Sequence, residues 1–148
     1  MDLVVVDTNV FVNAIFSDYF KDDERIIDLE ENEQIRFAFS EITKNELYKI
    51  FARTIDQQNV FECAVFFETL YNIIERSVYI SNPPKLERIS SDKGDQPFIE
   101  LAVAARASYL ITNDFSNGLL KLRTYNNVEI LTPTSYIKKY IRENRKAK

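Results

Sequence analysis

The sequence predicts an α/β fold: a three-layer α/β/α sandwich on a central, mostly parallel sheet of four to five strands. Two observations carry the prediction. Short, mostly apolar runs at 3–6, 35–39, 109–112 and 128–131, the first of them β-branched, alternate with longer stretches of helical periodicity. Strands that alternate with helices form parallel sheets covered on both faces, and such strands read as continuous apolar runs. A length of 148 residues, 45% hydrophobic and 28% charged, suits a single domain over 1–148 with a buried core.

The first strand, 3–6, runs directly into Asp7-Thr8-Asn9. A helix over 9–16 follows, with Val10, Phe11 and Ala14 toward the core, and a second over 24–31 through Ile26, Ile27 and Glu30. Strand 35–39 stops at Ser40, a good N-cap for a helix that runs to 53. The next helix, 58–76, carries the stripe Cys63, Phe66, Phe67, Leu70, Ile73 and Ile74 at helical spacing. Val60, Phe61, Ala64, Val65 and Tyr71 lie outside that stripe, so this helix covers more than one neighbour, within the chain or on a second subunit.

Residues 78–80 suit a short strand, and 82–94, with Pro83-Pro84 and Ser90-Ser91, a loop. Pro97 sits in the first turn of a helix buried through Phe98, Leu101, Ala102 and Ala105. After strands 109–112 and 128–131, Thr132-Pro133 opens a terminal helix through Ile137, Tyr140 and Ile141; 141–148 reads as a frayed basic tail.

Composition removes most chemistries. There is no histidine, hence no Ser-His-Asp or Cys-His pair and no imidazole ligand. Two glycines, Gly94 and Gly118, cannot build a phosphate loop or a dinucleotide fingerprint. Hard oxygen donors remain, and they suit Mg²⁺ or Mn²⁺. Cys63 has no disulfide partner, no signal peptide is legible, and no apolar run approaches the ~20 residues of a membrane span, so a cytoplasmic chain is expected. The net charge of −4 argues against a general nucleic-acid binder, but acids gathered around a metal and the basic tail blunt that point.

Right-handed crossovers bring strand-to-helix junctions to one sheet edge, where open α/β sheets hold their functional crevice. Asp7 and Asp114 fall just past strand ends. Glu46 falls about two turns into the helix after the second strand, and Asp95 just before the helix that leads to the 109–112 strand. Singly, each has a capping explanation: Asp7 as N-cap, Glu46 closing a box on Thr43, Asp92 or Asp95 complementing a helix dipole, Asp114 in a turn. Jointly, four converging carboxylates raise one another's pKa unless a divalent cation relieves the repulsion.

Four strings resemble the ordered motifs of the PIN domain family: Val4-Val5-Val6-Asp7-Thr8-Asn9-Val10, Ile42-Thr43-Lys44-Asn45-Glu46-Leu47, Asp95-Gln96-Pro97-Phe98-Ile99-Glu100-Leu101-Ala102, and Tyr109-Leu110-Ile111-Thr112-Asn113-Asp114. The third is most similar to the VapC-like toxin ribonuclease subgroup. The resemblance implies a metal-dependent ribonuclease with Asp7, Glu46, Asp95 and Asp114 as its acidic quartet, supported by Asn9, Thr112 and Asp92. The sequence departs from the family pattern at Gly94, where relatives often carry an acid, at Asn113, where they often carry glycine, and in a longer 115–118 segment.

The function expected is hydrolysis of RNA phosphodiester bonds with Mg²⁺ or Mn²⁺, by the toxin of a toxin–antitoxin pair. Lys44 and Lys49, beside Glu46 on its helix, are the candidates to hold the RNA backbone. Partners expected are the RNA, an antitoxin protein and a second copy of the chain, with no membrane. The alternatives are a non-catalytic PIN-like interaction module and a phosphatase with Asp7 as nucleophile. The second wants an acid two residues on, where this chain has Asn9.

Overall fold

The computed structural model describes residues 1–55, 60–89, 93–114 and 118–146, except for the side chain of Lys146. The chain order is β1 (Asp2–Val6), α1 (Thr8–Phe16), α2 (Lys21–Glu31), β2 (Ile35–Phe39), α3 (Glu41–Thr54), α4 (Val60–Arg76), β3 (Val78–Tyr79), α5 (Gln96–Ala105), β4 (Tyr109–Ile111), α6 (Leu119–Leu122), β5 (Thr124–Tyr125), β6 (Val128–Leu131) and α7 (Pro133–Lys146). The α/β prediction holds, with a sheet wider than expected: six strands in the order β3-β2-β1-β4-β6-β5. Every pairing is parallel except that of β5 with β6.

The sheet is wider by β5, which, like the short helix α6, the sequence does not announce. Both are too short for a periodic signal, and β5 is two residues joined to β6 through Asn126 and Asn127. Those two asparagines have positive φ, 45° and 68°. Two left-handed central residues are the requirement of a tight hairpin turn, and asparagine tolerates them.

β1 shows why the middle layer is buried on both faces. Val4 and Val6 join one core cluster, with α1, α2, α3, α4 and α7, while Val5 joins another with α5. Side chains alternate across a strand, so an unbroken valine run feeds both layers. The Phe11 ring meets Phe37 edge-on with centroids 5.4 Å apart, locking α1 to the sheet.

Local expectations fared unevenly. Ser40 caps α3 as predicted, but the box closes between Ser40 and Thr43: the Thr43 amide donates to Ser40 Oγ and the Ser40 amide to Thr43 Oγ1. Glu46 therefore does not cap this helix. α7 runs from Pro133 to Lys146, through most of the basic 141–148 segment, whose last two residues lie outside the described residues. Its inner face is anchored by Tyr136, whose hydroxyl donates to Asp2 at 2.9 Å, and by Tyr140, whose hydroxyl donates to Gln34 at 2.6 Å. The predicted start of α4 at 58 lies outside the described residues.

On α4 only Leu70 and Ile73 are fully buried. Val60, Phe61, Val65 and Tyr71 stay exposed, so within this chain the apolar excess is not covered. Among the described residues no helix is long and apolar enough to cross a membrane.

Candidate functional site

β1 lies at the turning point of the winding. From it the chain passes outward to β2 and β3, then returns through α5 to β4 on the other side. In such sheets the C-terminal ends of the two strands flanking the reversal open a crevice. Asp7 follows β1 and Thr112-Asn113-Asp114 follows β4, so the topology sets them side by side. The Asp7 amide donates to the Ile111 carbonyl at 2.9 Å, extending the ladder to the edge of that crevice.

Asp7 occupies the N-cap position of α1 but its side chain makes no cap hydrogen bond. Its Oδ2 instead accepts from Thr112 Oγ1 at 2.8 Å and from Asn9 Nδ2 at 3.3 Å. The fully buried Thr112 hydroxyl also accepts from the Asp114 amide at 3.0 Å. One hydroxyl thus ties the two strand ends together and orients both acids. Glu46 is held by Thr8, whose Oγ1 donates to its Oε2 at 2.9 Å.

Two of the other acids, Glu46 and Asp114, lie close enough to Asp7 to act on its charge. Asp7, 9% exposed, has its pKa pushed up to about 6. Burial is the main cause, and repulsion from Glu46 and Asp114 adds to it. Hydrogen bonds from Thr112 and the Thr8 amide oppose the rise. Removing the Thr112 hydroxyl should therefore move Asp7 upward. In Thr112→Val we expect its carboxyl to titrate clearly above pH 6, followed by carbon-13 NMR of the side chain. A value at or below the parent's would show that Thr112 does not stabilise the ionised form.

Asp95 ends the loop before α5, is 5% exposed, and makes no side-chain cap bond. α5 packs against both β1 and α3. A cavity of about 350 Å³ opens between α3 and the head of α5, lined by Glu46, Lys49, Asn45, Ile42, Gly94 and Pro97. Glu46 and Gly94, the residue before Asp95, therefore face one space. Among the described residues, no three Asp, Glu, His or Cys side chains are drawn close enough to form a ready metal cage. Asp7 and Glu46 are instead hydrogen-bonded to hydroxyls. The donor chemistry still suits a hard divalent ion, since the site is all oxygen and carries the like-charge conflict that a cation removes.

Lys49 lines this cavity. Lys44 is turned to Glu41, 3.2 Å away, and sits over the Tyr79 ring. Asp92 lies outside the described residues, as do 115–117 of the longer segment after Asp114. Asn9 presents an amide to Asp7, not the proton donor that a phosphatase built on Asp7 requires.

Three supporting residues escaped the sequence reading. Thr8 was one, although it sits between Asp7 and Asn9. Asp23 and Asn113 were the others: Asn113 Nδ2 donates to Asp23 Oδ2 at 2.8 Å, and Asn13 Nδ2 donates to the same oxygen at 3.2 Å. Asn113 also donates its amide to Asn9 Oδ1, at 3.4 Å. Asp23 is only 4% exposed, and burial raises its pKa. A signal for it existed. Asp23 lies three and four residues before Ile26 and Ile27 and seven before Glu30, on the buried stripe of α2. It hid in the acidic run 22–24, which looks like an ordinary dipole-favourable helix start.

The family model of the PIN domain matches residues 3–116, so the chain belongs to the PIN domain family. Among solved structures it is similar to a chain of VapBC2 from Rickettsia felis, a complex bound in that crystal to a DNA fragment from its promoter. That match has a TM-score of 0.57 at 17% identity and covers 88% of this chain and 98% of the other. At that identity the likeness concerns the fold. No curated protein matches the chain.

Proposed function

We propose that this chain is a Mg²⁺- or Mn²⁺-dependent endoribonuclease, the toxin of a toxin–antitoxin pair that acts in the cytoplasm. The observation that carries the reading is Asp7: a buried carboxylate at a strand end, destabilised by Glu46 and Asp114 and braced by Thr112. Membership of the PIN family and the fold shared with a VapBC2 chain support it.

Asp7, Asp95 and Asp114 would hold the ion, with Glu46 beside them. When bound, the ion neutralises charge on the scissile phosphate and acidifies a water molecule, which supplies the base that a chain without histidine lacks. Thr112 fixes the Asp7 carboxylate and the Asp114 backbone in one geometry. Thr8 keeps Glu46 aimed into the crevice, where it orients the attacking water and takes up its proton. Cleavage would leave 5′-phosphate and 3′-hydroxyl ends. An antitoxin partner would cover the crevice, and the exposed apolar residues of α4 offer a surface for a second copy.

Mn²⁺ titration of the full chain tests this. The expected result is a higher melting temperature together with metal-dependent cutting of RNA into 5′-phosphorylated fragments. Stabilisation without cutting of a varied RNA pool would refute the nuclease and leave a PIN-like interaction module. That alternative draws on the lack of a preformed cage among the described residues.

A further inference from the structure

Beyond the acid crevice lies a second, basic space. A cavity of about 400 Å³ opens beside the first turns of α5, lined by Lys85, Leu86, Arg88 and Lys93 together with Gln96 and Glu100 of that helix. It shares Ile42 and Pro97 with the cavity that holds Glu46 and Lys49. The two therefore adjoin across an apolar sill as parts of one trough, with Glu46 and Lys49 on one side of it and Lys85, Arg88, Lys93 and Glu100 on the other. Ile42 is exposed at that sill although it belongs to a helix with a buried face.

The loop that carries the cations is braced. Gln96 Nε2 donates to the carbonyls of Leu86 and Glu87, at 3.3 and 2.9 Å, and Gln96 Oε1 accepts from the Ile89 amide at 3.1 Å. Glu100 Oε2 accepts from the Leu86 amide at 2.8 Å. Both residues belong to α5, whose N-cap is Asp95. The basic loop and one acid of the crevice are thus fixed on the same helix, and their spacing is set by it.

A polyanion entering an acidic crevice needs cations on its flank, and a chain of net charge −4 has no general attraction to supply them. We propose that this trough is the path of a single-stranded RNA: nucleotides flanking the scissile bond lay their phosphates on Lys85, Arg88 and Lys93, and their bases pack on Ile42 and Pro97. Single strands are the class that such a surface takes, because a duplex hides its base faces. The inference rests on the nuclease reading of the crevice but assigns different residues, all outside the acidic quartet.

Binding of a fluorescein-labelled RNA 12-mer, read by anisotropy, tests the path in the full-length Asp7→Asn chain, and cleavage in Mn²⁺ tests it in the Asp7 parent. Lys85→Ala with Lys93→Ala is expected to weaken single-strand binding about tenfold. It should flatten the log-affinity against log-salt slope by about 1.4, the loss of two single-strand phosphate contacts. In the cleaving chain KM should rise with kcat within about twofold, and Lys138→Ala with Arg142→Ala on α7 should change neither. Unaltered binding and salt slope in the loop variant would overturn the path, as would equal binding of the duplexed 12-mer. Tighter binding of a polyglutamate peptide at these lysines would overturn it in favour of a protein partner. Loss of RNA binding in the loop variant, with no chain cutting RNA, would uphold the path and sink the nuclease reading alone.

Discussion

Asp7→Asn is expected to abolish metal-dependent cleavage and, at the same time, to make the metal-free protein more stable at neutral pH. Both effects come from the same burial. With its pKa near 6 instead of the ordinary 3.8, Asp7 holds its proton more tightly folded than unfolded. The folded state is therefore not penalised below pH 4. The penalty grows as pH rises from 4 to 6 and is complete above that. A shift of this size corresponds to about 3 kcal/mol.

Asparagine has the same shape, still accepts from Thr112 through its amide oxygen, and carries no charge to bury. Without metal at pH 7.5, the variant should melt about 8 °C above the parent, whereas at pH 4 the two should nearly coincide. Saturating Mn²⁺ should shrink the gap, because it stabilises only the chain whose carboxylate can hold it. Differential scanning calorimetry at the two pH values, with and without Mn²⁺, reads all of this. Equal melting temperatures at pH 7.5 would mean that Asp7 is not held at an electrostatic cost, and the case for a cation at this site would weaken with it.

Arg76→Ala should cause the largest loss of stability among surface-reaching residues, about 3 kcal/mol, and leave the crevice untouched. Glu30 of α2 is 2% exposed. Its two oxygens accept from Arg76 Nε at 3.0 Å and Nη2 at 2.6 Å, across from the end of α4. Arg36 of β2 in turn donates to the Arg76 carbonyl at 3.0 Å. Removing the guanidinium strands a buried carboxylate without its hydrogen-bonded partner. Arg76 is itself partly exposed, so water reaching the gap keeps the loss at the lower end of the range for broken buried pairs. Glu30→Leu combined with Arg76→Met should recover most of it, since neutral side chains leave no charge to bury. Urea titrations of the two variants decide the matter. A double variant no better than Arg76→Ala would show that the pair contributes geometry and not only charge balance.

The sequence made the sheet's middle legible and its margins obscure. The run at 3–6 lies in β1, buried from Val4 to Val6, and the run at 35–39 forms β2, buried everywhere except at Arg36. β5 and α6 have two and four residues, too few for any period to show. In the site, Asp7 and Asp114 were legible because each falls just past the end of a strand. Glu46 was legible as a residue but was given the wrong local partner: its hydroxyl donor is Thr8, 38 positions away, and no nearby pattern announces it. The Asp23–Asn113 pair, 90 positions apart, was hidden for the same reason.

Thr112 and Asp7 stand 105 positions apart, on neighbouring strands, and β4 is itself flanked by β6. Such distant pairing comes late, after long stretches of chain have closed upon themselves. While the polypeptide is still leaving the ribosome, the first strand has its outer neighbours but not the one that carries the fourth acid. The crevice is thus assembled only after most of the chain has been made. A nascent or prematurely ended chain lacking 109–131 could build part of the sheet yet would lack the Thr112 hydroxyl that holds Asp7.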